Sequence, residues 1–137
     1  MKVSTVTTPE FPDDGILWRG WGDETLRVIG ERDKPVLLFV ANPDPMVWPF
    51  LRETFKAMPK NDKLRQLLDD GCPALFLKAD EIPEDLKALG AGSRYNIAVL
   101  SPSGLTPMVT IDPIAGNPAD VVDHIVAVLE RILAAWL

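Results

Sequence analysis

A chain of 137 residues is the size of one domain and long enough to bury a core without disulfide or metal staples, and its 47% hydrophobic and 25% charged residues exclude a disordered chain. No apolar run approaches bilayer-spanning length, so no membrane partner is expected. With 14 basic against 20 acidic residues the net charge is −6, which repels a phosphate backbone, and the scattered bases, such as Arg27, Lys34, Arg52 and Lys63, form no patch for nucleic acid.

The first ten residues carry no apolar leader core, and the single cysteine, Cys72, cannot form an internal disulfide. A cytoplasmic location is expected, with the periplasm or the exterior left open if a signal peptide has been removed. Residues 1–20 are broken by Pro9, Pro12 and Gly15 and anchored by Phe11, Ile16, Leu17 and Trp18, which predicts an extended arm pinned to one domain over 21–137. Asp23 and Glu24 stand where a helix start favours carboxylates, and Leu26, Val28 and Ile29 supply a short apolar face, so a helix is predicted over 23–32. Residues 35–40 are a continuous apolar run, the pattern of a strand buried on both faces. Asn42-Pro43-Asp44-Pro45 forbids its continuation and predicts a turn in which Asp44 caps a new helix with Pro45 at its first position. That helix covers 46–57, bent near Pro49 for want of a donor.

Another helix over 61–68 closes at Gly71, and 72–79 reads as a second apolar strand. Pro83 near the start and Gly90 at the end mark a short helix over 81–90. Residues 95–100 and 105–111 flank the turn Ser101-Pro102-Ser103-Gly104, a hairpin signal, and Pro107 assigns the second of these strands to an edge. Asn117 caps, Pro118 starts and Asp120 supports a last helix in which Val122, Ile125, Val126, Leu129, Ile132, Leu133 and Trp136 recur at helical spacing. Val121, Val128 and Ala135 widen that stripe, which raises a homodimer through the C-terminal helix as an expectation. The order βαβ, antiparallel hairpin, helix is a small α/β layout, a mixed sheet flanked by helices on both faces.

That order is the thioredoxin fold, and particular residues point the same way. Trp18-Arg19-Gly20-Trp21-Gly22, a helix, Lys34-Pro35 at a strand start, Arg52-Glu53-Thr54-Phe55, Leu77-Lys78-Ala79-Asp80 with Pro83 downstream, and Leu100-Ser101-Pro102-Ser103-Gly104 follow one another in the chain. Over roughly residues 16 to 112 this series resembles the thioredoxin-like domain that opens the large spermatogenesis-associated type of Cys-x-x-Cys protein. The resemblance puts that family's two cysteines at Asp44 and Val47, and its cis-proline at Tyr95 with Asn96 after it. Both thiols of a dithiol exchange site are therefore replaced.

The resemblance implies a redox-inactive protein that binds a protein or peptide on the surface around Asp44, Pro45, Met46, Val47, Trp48 and Tyr95, without catalytic residues, cofactor or metal. Asp44 reads first as a structural cap, with a general base or cation ligand as the sharper alternative. The competing class is a thiol–disulfide oxidoreductase using Cys72 or a partner's cysteine, although Cys72 opens an apolar strand with no histidine beside it. His124, the one histidine, falls on the polar side of the last helix without further ligands at a matching spacing. Trp18, Trp21, Trp48 and Phe50 read mainly as core, and as a binding patch wherever two of them share an exposed surface.

Overall fold

The computed structural model describes residues 16, 18–114 and 116–136, without the side chain of Trp136. Pro9, Phe11, Pro12, Gly15 and Leu17 of the expected arm lie outside the described residues. The end of the arm belongs to the domain: Trp18–Arg19 form β1, an edge strand of the sheet, and Ile16 and Trp18 are buried in the core.

Helix α1 covers Asp23–Arg32, with Asp23 and Glu24 in its first turn. Its buried face is Thr25 and Ile29, one turn apart, while Leu26 is exposed. A polar residue can face inward there because the Thr25 hydroxyl donates to the Gly20 carbonyl. Asp33 closes the helix in the left-handed region at φ 51°, donating its amide to the Ile29 carbonyl.

Strand β2 (Val36–Ala41) is buried along its whole length. It runs parallel to β3 (Ala74–Lys78) on one side and antiparallel to β4 (Ile97–Leu100) on the other. With β5 (Pro107–Ile111) the sheet order is β1-β3-β2-β4-β5, β1 being parallel to β3 and β5 antiparallel to β4. A strand with neighbours on both edges and helices over both faces has no polar side, which explains its uniform composition.

Alternation along β2 divides the core in two. Leu37, Phe39 and Ala41 pack with Leu51 and Phe55 of α2 (Trp48–Ala57), Leu64 of α3 (Asp62–Asp69), and Ile125 and Leu129 of α5 (Pro118–Trp136). Val36, Leu38 and Val40 pack with Ile29 of α1 and Leu86 of α4 (Glu84–Ala88). The fold is α/β, a mixed five-stranded sheet covered on both faces. On the first face Trp18 and Phe55 stack at 5.4 Å between ring centroids, and Phe39 meets Phe55 edge-on at 5.1 Å. This ring cluster joins β1, β2 and α2, each such pair adding about 0.5–1.5 kcal/mol beyond its buried area.

Pro107 starts an edge strand, at the irregularity opposite Leu100, so its missing N–H breaks no central ladder. Helix α5 buries Val121 and Val128 together with Val122, Ile125, Val126 and Leu129, because it packs against both α2 and α3, while Ala135 is exposed. The width of its apolar stripe, which suggested dimerisation, is used within the chain. Among the described residues no helix is long and apolar enough to cross a membrane.

Candidate functional site

The surface of interest lies where β2 ends and α2 begins. Asn42 leaves the sheet, and neither Pro43 nor Pro45 has an N–H to extend it. The Asp44 amide donates to Asn42 Oδ1 at 3.0 Å, and Asp44 Oδ1 accepts from the Met46 amide at 2.9 Å, two successive Asx turns. The Asp44 carbonyl accepts from the amides of Val47 at 3.0 Å and Trp48 at 2.8 Å.

Helix α2 begins at Trp48, later than expected, with Val47 at its N-cap making no side-chain bond and Pro49 in its opening turn. Pro49 is the physical reason. It lacks an N–H, so the ladder resumes with the Phe50 and Leu51 amides, both donated to the Val47 carbonyl. Asp44 fastens the turn in front of the helix and is not its N-cap. Pro49 sets the helix start, where a missing donor costs nothing, and not a bend further in.

Five of the six residues expected at the site are contiguous here. Met46 is 79% exposed, Asp44 and Pro45 are exposed, and Val47 and Trp48 are half-buried with one side against the core. Tyr95 is not on this surface. It is 5% exposed and packs in the second core with Ile82, Leu86 and Ala91. Its hydroxyl has no hydrogen-bond partner, and burial pushes the phenol up from its ordinary pKa.

Asn96, the next residue, borders the turn instead. Its carbonyl accepts from the Val40 amide at 2.7 Å, and its Oδ1 accepts from Asn42 Nδ2 at 3.2 Å. Asn42 Nδ2 also donates to the Gly92 carbonyl at 3.1 Å, so one half-buried amide ties the β2–α2 turn to the loop 90–96. Gly92 allows this approach with φ at +83°, and a Cβ there would stand 2.7 Å from Ile82 Cδ1. Sequence reasoning took Asn42 only for a strand-ending residue, since nothing local announces a partner fifty residues away.

Of the four aromatic residues weighed together, Trp18 is core, Trp48 is half-buried, and Trp21 and Phe50 are exposed, Phe50 by 43%. Phe50 and Pro49 line a shallow groove of about 390 Å³ whose opposite wall is Pro113 and Gly116, from the connection between β5 and α5, and Pro118, the first residue of α5. The groove adjoins the Met46–Trp48 surface through α2's first turn. It escaped the sequence reading because its two walls are far apart in the chain.

This surface offers apolar side chains and a carboxylate, with no thiol. Cys72 is 2% exposed and precedes Pro73, whose carbonyl accepts from the Leu37 amide, so it sits by the start of β2 while Asp44 follows the end. At ~3.3 Å per strand residue the two positions are roughly 20 Å apart. Burial pushes the Cys72 thiol up, against a smaller opposing pull from Lys34, which keeps the sulfur protonated at neutral pH. Among the described residues no three of His, Cys, Asp or Glu are grouped to hold a metal ion, and His124 is exposed on α5. No protein-family profile matches the chain, and no curated protein matches it.

Proposed function

We propose that this chain is a redox-inactive, thioredoxin-fold protein of the thioredoxin-like superfamily that works as a protein- or peptide-binding, chaperone-like module. Its partner is held on the surface around Asp44, Pro45, Met46, Val47 and Trp48. The sheet order, with three parallel strands followed by an antiparallel hairpin, supports the fold part of the reading. The observation that carries the function is Met46, 79% exposed beside half-buried Trp48, at the turn where the resemblance puts a dithiol. Met46, half-buried Trp48 and exposed Phe50 together make continuous apolar ground beside polar groups, and such a patch supports a docking role where a lone exposed side chain would not.

Tyr95 is buried in the second core and is left out of this surface, while Asn96, the next residue, bonds to Asn42. The rival reading, thiol chemistry at Cys72, has no support from geometry, since that sulfur is buried at the far end of the sheet. A cytoplasmic location suits a chain whose one thiol is unpaired. An insulin-reduction assay with dithiothreitol, or glutathione-disulfide turnover, tests the reading. No rate above the protein-free control is expected, and a rate abolished by Cys72→Ser would refute it.

A further inference from the structure

The apolar ground continues past the β2–α2 turn. Met46, Phe50 (43% exposed) and Ile114 (51% exposed) stand out of the same end of the molecule, where β2 and β5 finish, with the groove of Pro49, Phe50, Pro113 and Pro118 between α2 and α5. Its charged groups divide into those paired with one another and those without an ion pair. Glu53 at the groove is answered by Arg52 at 3.4 Å and Lys56 at 3.6 Å, so the groove's one arginine is already engaged. Asp44, Asp112 and Asp120 take part in no ion pair among the described residues. Each instead accepts a neutral hydrogen bond, from the Met46 amide, the Ile114 amide and Asn117 Nδ2 respectively, which fixes it in place with its charge uncompensated. Asp112 precedes the groove residue Pro113, and Asp120 is beside Gly116, its Cβ 3.6 Å from where a side chain added at that glycine would begin.

From this complementarity we infer that the groove takes an extended peptide segment with an apolar centre flanked by lysine or arginine, the apolar part against Phe50 and Pro113 and the cations beside Asp44, Asp112 and Asp120. The inference rests on the binding reading above and names its partner class. A second copy of this chain does not fit, because it brings a net charge of −6 and the same three aspartates without ion pairs.

A peptide-display selection against the purified protein tests it, using randomised apolar cores in three flank sets: Lys/Arg, Ser/Gly and Asp/Glu. Selected peptides are then titrated against the wild type, the triple variant Asp44→Asn/Asp112→Asn/Asp120→Asn, and Phe50→Ser. Asparagine keeps each turn hydrogen bond and removes only the charge, so folding, checked by circular dichroism, is retained. Enrichment of the Lys/Arg set is expected, with affinity roughly tenfold weaker in the triple variant and falling with added salt, and lost in Phe50→Ser. Selection of neutral or acidic flanks, unchanged affinity in the triple variant, or no binder from any set overturns the inference. Peptides bound regardless of flank yet lost in Trp48→Ala would overturn this partner class alone and leave the binding module standing.

Discussion

Replacing Tyr95 by phenylalanine should stabilise the protein and leave its binding surface as it is. The ring is 5% exposed among Ile82, Leu86 and Ala91, and the hydroxyl has no partner. A buried polar group without a partner carries a desolvation penalty of about 1–3 kcal/mol, and phenylalanine keeps the ring while removing it. After allowing for the small void left behind, a net gain of ~1 kcal/mol is expected. With about 2.1 cal/mol/K of unfolding entropy per residue, a chain of 137 residues should then melt roughly 3–4 °C higher. The variant also isolates a pH effect. Burial holds the folded phenol above its ordinary value of 10.0, so the folded state keeps a proton that the unfolded chain releases. That contribution is intact below pH 10 and is lost as pH rises through the folded pKa, so the variant's advantage should widen over that range. Urea denaturation of both proteins at pH 7 and above pH 10 measures both effects. A loss of ~1 kcal/mol or more in Tyr95→Phe would show the opposite, that the hydroxyl makes a bond worth keeping.

Asn42→Ala removes three hydrogen bonds, to Asp44, Gly92 and Asn96, and should lower stability by about 1–3 kcal/mol. Hydrogen exchange should show the loss centred on the β2–α2 turn and the loop 90–96. Gly92→Ala should lower stability by about 1–2 kcal/mol in a thermal melt, chiefly through the positive φ, since Ile82 Cδ1 is a side-chain end that can give way. Cys72 should react with a thiol reagent at pH 8 at least ~100-fold more slowly in the native protein than in urea, because buried thiols are inert; prompt native labelling would mean that the site opens.

How far the sequence disclosed this molecule depended on whether the signal was local. The run from Val36 to Val40 and the series Asn117-Pro118-Asp120 are local signals, and both elements form where their residues place them. The start of α2 is ambiguous in sequence because two prolines, Pro45 and Pro49, each suit a first helical turn, and only the hydrogen bonds from Phe50 and Leu51 to Val47 decide between them. The stripe on α5 looked too wide because sequence gives the width of an apolar face but not how many neighbours cover it, here α2, α3 and the sheet. The resemblance puts Tyr95 at the surface by its position alone, whereas packing with Leu86 of α4 buries its ring. Asn42 and the Pro113 wall of the groove are made by contacts between distant segments, which no local pattern encodes.

The proposed function puts partner binding at the Met46–Trp48 end of the protein, without sulfur chemistry. Quantitative capture from a lysate of the source cells by immobilised wild type, Met46→Glu, Trp48→Ala and Cys72→Ser, with each eluate read by mass spectrometry, tests this. Met46 is exposed enough to be changed without touching the core, which guards against the half-buried Trp48 failing for stability alone. The expected result is one partner set shared by wild type and Cys72→Ser and depleted at least ~10-fold by Met46→Glu and Trp48→Ala. Capture that persists in both apolar variants and disappears with Cys72→Ser would mean that the partner is held through sulfur.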